Sequence, residues 1–141
     1  MAYRASDAER AIGSIGQFSD LAGWDRRVLV EIAAAVDIDA GSTLVSQGQV
    51  PELGYIVVSG TVGLSSDSGE HRRANAGTPV GLVDEVSGEA AIVTAIAETP
   101  VHAVVFDRRS LERVVSARPA IRRAFLRLLS LEVRKRDLGL I

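Results

Sequence analysis

From Asp37 to Asp107 the chain is cut into short β-rich runs by glycine, serine and proline. The runs are 43–46, 55–59, 61–65, 72–75, 92–98 and 101–106. Segments this short, at such close spacing, predict a small antiparallel sandwich or barrel. Asp67, Ser68 and Gly69 mark a hairpin turn between two of them, and Thr99 with Pro100 separates the last pair.

Helical periodicity flanks this block on both sides. Ser6 and Glu9 read as a capping box opening a helix through about Ile15, weakened by Gly13 and Gly16. Leu29, Ile32, Ala33 and Val36 form one apolar stripe on a second helix over residues 25–36. Phe18, Leu21 and Trp24 precede it and are expected to pack beneath it. After the β block, Asp107 suits an N-cap, Leu111, Val114 and Val115 supply a stripe, and Pro119 takes the first position of a final helix over 119–137. With no internal repeat and no linker, the 141 residues make one domain, long enough to bury roughly 70% of the unfolded surface.

Composition excludes several chemistries. There is no cysteine, so disulfide scaffolds, thiolate metal sites and cysteine nucleophiles are out. Two histidines, His71 and His102, are too few for a histidine-rich metal site. Ser59, Ser65, Ser66 and Ser68 lie outside any G-x-S-x-G elbow, and neither a phosphate-binding P-loop nor a dinucleotide fingerprint is present. No catalytic residue and no metal ligand is assigned, and enzymatic activity is not expected. The absence of an 18-residue apolar run and of an apolar leader predicts a cytoplasmic chain with no membrane contact.

The glycines carry a resemblance. Gly41, the pair Gln47 and Gly48, then Gly60 fall at spacings that allow positive φ in the tight turns of a rolled sheet. Phe18 with Leu21, and the strand Tyr55, Ile56, Val57, Val58 before Gly60, complete a pattern that resembles the cyclic nucleotide-binding domain family over most of the chain. The resemblance implies a mainly β fold with flanking helices: an antiparallel, jelly-roll-like β-roll with N-terminal helices and two C-terminal helices. Residues 1–17 would form a helical lead-in and 18–141 the domain, with the roll at about 38–107 and the C-terminal helices at about 108–137.

In that family a short helix offers backbone amides to the cyclic phosphate, an arginine pairs with the phosphate, and a glutamate takes the ribose hydroxyl. The matching stretch here runs from Gly77 through Gly81 and Leu82 to Ala91 and Thr94, with the family's spacing from Gly81 to Thr94. Leu82 stands at the glutamate position and Ala91 at the arginine position. Asp84 and Glu85 lie in the short helix and are read as a solvated turn. A rival register starting at Gly88 and Glu89 leaves only five residues to Thr94 and supplies no arginine.

Losing one partner of a buried charge pair costs about 2–5 kcal/mol, and an unmet ribose hydroxyl adds roughly 1–3 kcal/mol. Micromolar binding is worth about 8 kcal/mol in all. Cyclic nucleotide is therefore disfavoured as a ligand, and no cofactor is assigned. The expected function is a stand-alone regulatory or interaction module. The alternative is a genuine sensor of cyclic AMP, cyclic GMP or another small ligand, bound in a non-standard way by Gly81, Leu82, Val83, Ala91 and Thr94. Restoring Glu at 82 together with Arg at 91 is expected to return affinity.

The last helix adds a partner expectation. Ile121, Ala124, Leu128 and Leu131 recur at spacings of three, four and three, and Leu138 extends the line. They are read as a seam for a homodimer or a protein partner, as the resemblance to the catabolite activator protein implies. Seven basic residues between Arg118 and Arg136 face two acidic ones, Glu132 and Asp137, a net +5. Nucleic acid is not the expected partner, since no helix-turn-helix follows.

Overall fold

A computed structural model describes residues 5–137. In chain order the elements are α1 (Ala5–Ser14), a 3₁₀ turn (Gly16–Phe18), α2 (Gly23–Ile32), β1 (Ala33–Ile38), β2 (Thr43–Val45), β3 (Leu53–Ser59) and β4 (Val62–Ser65). There follow β5 (His71–Ala74), β6 (Pro79–Val80), α3 (Leu82–Ser87), β7 (Thr94–Ala97), β8 (Val101–Asp107), α4 (Arg108–Ala117) and α5 (Pro119–Asp137). The strands form two four-stranded antiparallel sheets, in the orders β1-β8-β3-β6 and β2-β7-β4-β5. This is the mainly β roll with flanking helices that the sequence pattern predicts.

Strand alternation sorts the core into two layers. Tyr55 and Val57 of β3, with Val101, Ala103 and Val105 of β8, pack inside the roll with Val36, Val45, Val62, Val80, Ala91 and Ala95. The opposite faces of the same strands, Ile56, Val104 and Phe106, meet the helices through Ile12, Phe18, Leu29, Leu111 and Leu128. Phe125 anchors this layer, 5.0 Å from the Phe18 ring and 5.6 Å from Phe106 in an edge-on contact. Gly60 turns β3 into β4 at φ 91°, and a side chain there would strike the backbone at Pro100, so the turn requires glycine on both counts. The Ser66 to Gly69 turn closes the β4–β5 hairpin at the predicted place.

Asp107 caps α4 as expected, its carboxylate accepting from the Ser110 amide at 2.9 Å, and Pro119 opens α5. The described residues begin with Ala5 already helical, so Ser6 lies within α1 rather than before it, and its side chain falls outside the described residues.

Three expectations are corrected. The second helix ends at Ile32, and Ala33 and Val36 belong to β1 instead of its stripe. Alanine favours helix locally, but a six-residue ladder with β8 outweighs that preference. Trp24 is 65% exposed, whereas Phe18 is fully buried and Leu21 packs against the core. Finally, Ile121, Ala124 and Leu128 are buried against the chain's own helices and sheet, so they do not form an outward seam; of the four predicted residues Leu131 alone faces solvent. A helical period reports which residues are covered, not what covers them. Leu138 lies outside the described residues.

Candidate functional site

The segment from Gly81 to Thr94 lies across one end of the roll. Gly81 adopts φ 72°, and a Cβ there would sit 2.7 Å from Val45 Cγ2, so the chain enters α3 pressed against β2. Three residues apart, Leu82 and Glu85 share one face of α3. That face lies on β3 at Gly54, where a Cβ would fall 2.5 Å from Leu82 Cδ1 and 2.8 Å from Glu85 Oε1. The missing side chain of Gly54 is the space both residues occupy. Gly88 ends α3 in the left-handed region, its amide reaching the Asp84 and Glu85 carbonyls.

Beyond α3 the backbone is clamped to the loop before β3. Ala91 donates to the Gln49 carbonyl at 2.9 Å and accepts from the Gly48 amide at 2.8 Å. The Thr94 hydroxyl accepts from the Gln47 amide at 3.0 Å. Gln47 in turn accepts from the Asp67 amide at 3.1 Å, linking this loop to the β4–β5 hairpin.

The predicted ligand positions differ in their surroundings. Leu82 is buried in the helical layer, while Ala91 is buried in the layer inside the roll. Val83 is exposed on α3, and Thr94 is half-buried at the start of β7. Neither Leu82 nor Ala91 brings a charge or a side-chain hydrogen-bonding atom.

Glu85 overturns the solvated-turn expectation, for it is fully buried, and among the described residues no donor reaches hydrogen-bond geometry with either carboxylate oxygen. Burial chiefly raises its pKa to about 8, helped by the nearby negative charges of Asp107 and Glu112. The Gly54 amide and the Arg108 guanidinium offset only part of this. Glu85 consequently holds its proton at neutral pH. Arg108 is otherwise engaged: its Nε donates to Glu112 Oε1 at 3.0 Å, and its guanidinium packs over Gly88, 3.0 Å from where a Cβ would sit. Burial also pushes up the Tyr55 phenol on β3, with Glu85 adding to the effect. Asp107 moves the opposite way, its pKa lowered by the Ser110 amide and hydroxyl. Sequence reasoning missed Glu85; the one available signal was its i, i+3 spacing from Leu82.

Asp84 is half-buried at the edge of the same helix. The histidines sit on the surface. His102 pairs with Asp37 across β8 and β1, and His71 lies 3.7 Å from Glu98, which also accepts from Arg73 Nε at 3.1 Å. Among the described residues no group of three or more side chains is arranged to hold a metal ion, and no helix is long and apolar enough to cross a membrane.

A family model described as the cyclic nucleotide-binding domain matches residues 35–118. No curated protein matches the chain. Among solved structures, the regulatory subunit of a cAMP-independent protein kinase A from Trypanosoma brucei is similar at a TM-score of 0.73 and 20% identity, over 94% of this chain and 47% of that one. A cyclic nucleotide-binding domain from Methylobacillus flagellatus is similar at 0.75 and 17% identity, over 93% and 79%. The Thermus thermophilus catabolite activator protein is similar at 0.72 and 20% identity, over 88% and 61%. The chain spans about half the length of the trypanosome subunit.

Proposed function

The chain belongs to the cyclic nucleotide-binding domain family, and from that premise we propose that it is a non-catalytic, cytoplasmic regulatory module that keeps the fold without the charged grip on a cyclic nucleotide. One observation carries the reading. Leu82 and Ala91, which the sequence spacing matches to the family's glutamate and arginine positions, are both buried and apolar and pack in separate layers. A cyclic phosphate brought to this end of the roll would give up water for two side chains that return nothing to it. The similarity to a regulatory subunit of a kinase described as cAMP-independent supports the idea that this fold can regulate without that ligand. The module's work is then carried by contacts with other proteins.

Thermal unfolding with about 1 mM cyclic AMP or cyclic GMP tests this. A ligand bound at about 10 μM would add about 2.7 kcal/mol and raise the midpoint by roughly 6–10 °C. The expected shift is about 1 °C or less for either nucleotide. A shift of the larger size would establish the chain as a nucleotide sensor and reject the proposal.

A further inference from the structure

The inner face of α5 is committed to the chain's own core, and its outer face is a different surface. Arg122, Arg123, Leu126, Arg127, Ser130 and Leu131 are exposed there, with Leu126 at 58% and Leu131 at 40%. At 100° per residue, Arg123 and Arg127 fall between the two leucines, so cations run down the middle and apolar groups flank them. Among the described residues no acidic side chain pairs with Arg123 or Arg127. Arg118 and Arg122 are engaged, the first near Asp25 at 3.7 Å and the second on the Val115 carbonyl at 3.3 Å.

We infer that this face docks an acidic segment of a partner protein in which apolar residues are interleaved with Asp or Glu. This rests on reading the chain as an interaction module. Charge selects the occupant. The stretch from Arg118 to Asp137 carries +5, while the chain as a whole is −2, so the remainder carries −7. A second copy meeting α5 through its own α5 would set like charges face to face, an arrangement that suppresses association. An acidic segment meets complementary potential at this helix and like charge over the rest of the chain, which directs it to α5. Nucleic acid would satisfy the arginines but leave Leu126 and Leu131 facing phosphates, whereas an acidic amphipathic helix covers both.

The probe is a synthetic helical peptide with Glu and Leu alternating at i, i+3 and i, i+4 spacing, titrated by fluorescence anisotropy at about 150 mM salt. Saturable binding is expected. Arg123→Glu with Arg127→Glu should weaken it at least about tenfold, and Leu126→Ser by roughly threefold or more. Arg109→Glu on α4, outside this face, should leave it unchanged. Equal loss on Arg109→Glu would reduce the effect to overall charge and overturn the inference. Binding of duplex DNA that exceeds peptide binding and ignores Leu126→Ser would assign the face to nucleic acid. Self-association removed by the Arg123 and Arg127 changes would assign it to the chain's own copies. Nucleotide binding and peptide binding are separate titrations, so either can fail while the other stands.

Discussion

Glu85→Leu is expected to make the protein more stable at pH 8 than the parent and to flatten its stability between pH 5 and pH 8. In the folded chain Glu85 keeps its proton up to about pH 8, against an ordinary value of 4.5. Between those values the folded state binds more protons than the unfolded state, so stability falls as pH rises through the window. Below the window both states are protonated and no penalty operates; above about pH 8 both are ionised and the penalty is complete. At about 1.4 kcal/mol per pH unit the limit is near 5 kcal/mol. Structural relaxation and water entry around an ionised group reduce this to roughly 2–4 kcal/mol. Leucine fills a similar volume over Gly54 and removes the titration. Urea unfolding at pH 5.5 and pH 8 measures the difference, taken as variant minus parent so that contributions common to both proteins drop out. A parent whose stability is level across the window, or a variant that retains the parent's slope, contradicts the buried-carboxyl account.

Leu82→Glu should destabilise by about 3–5 kcal/mol and yield no nucleotide affinity. Leu82 and Glu85 both lie over Gly54, so the change buries a second carboxyl beside the first. Two such groups cannot both ionise at short range, and the pair would retain a proton well above the usual carboxylate range. The double change Leu82→Glu with Ala91→Arg, expected from sequence to return affinity if position 82 matches the family's glutamate, is expected to give none for the same reason, because Leu82 packs in the helical layer. A gain would support that match of positions. A Leu82→Glu protein as stable as the parent, with a gain in cyclic AMP binding, would show that position 82 can face the ligand.

The roll was legible because its signals are local. Glycines at the tight turns, the Asp67 to Gly69 hairpin, the Asp107 cap and Pro119 each act within a few residues. β1 was not legible, since Ala33, Ala34 and Ala35 become a strand only by pairing with Phe106, Val105 and Val104 far along the chain. Glu85 was hidden for a related reason: its burial depends on Gly54 lacking a side chain on another element. On α5 the periodicity correctly marked Ile121, Ala124 and Leu128 as covered, but only tertiary packing assigns them to the chain's own core. What sequence did convey about the site was identity: an apolar side chain at 82 and a methyl at 91 bring no charge of their own, which is the basis of the proposal that the charged grip is lost.

Isothermal titration of the unaltered protein with cyclic AMP and with cyclic GMP is the most direct test of that proposal. The expected outcome is no saturable heat below about 1 mM nucleotide, corresponding to less than about 4 kcal/mol of binding. A one-to-one isotherm tighter than about 10 μM, near −7 kcal/mol, would contradict the proposal that the chain lacks an effective grip on a cyclic nucleotide.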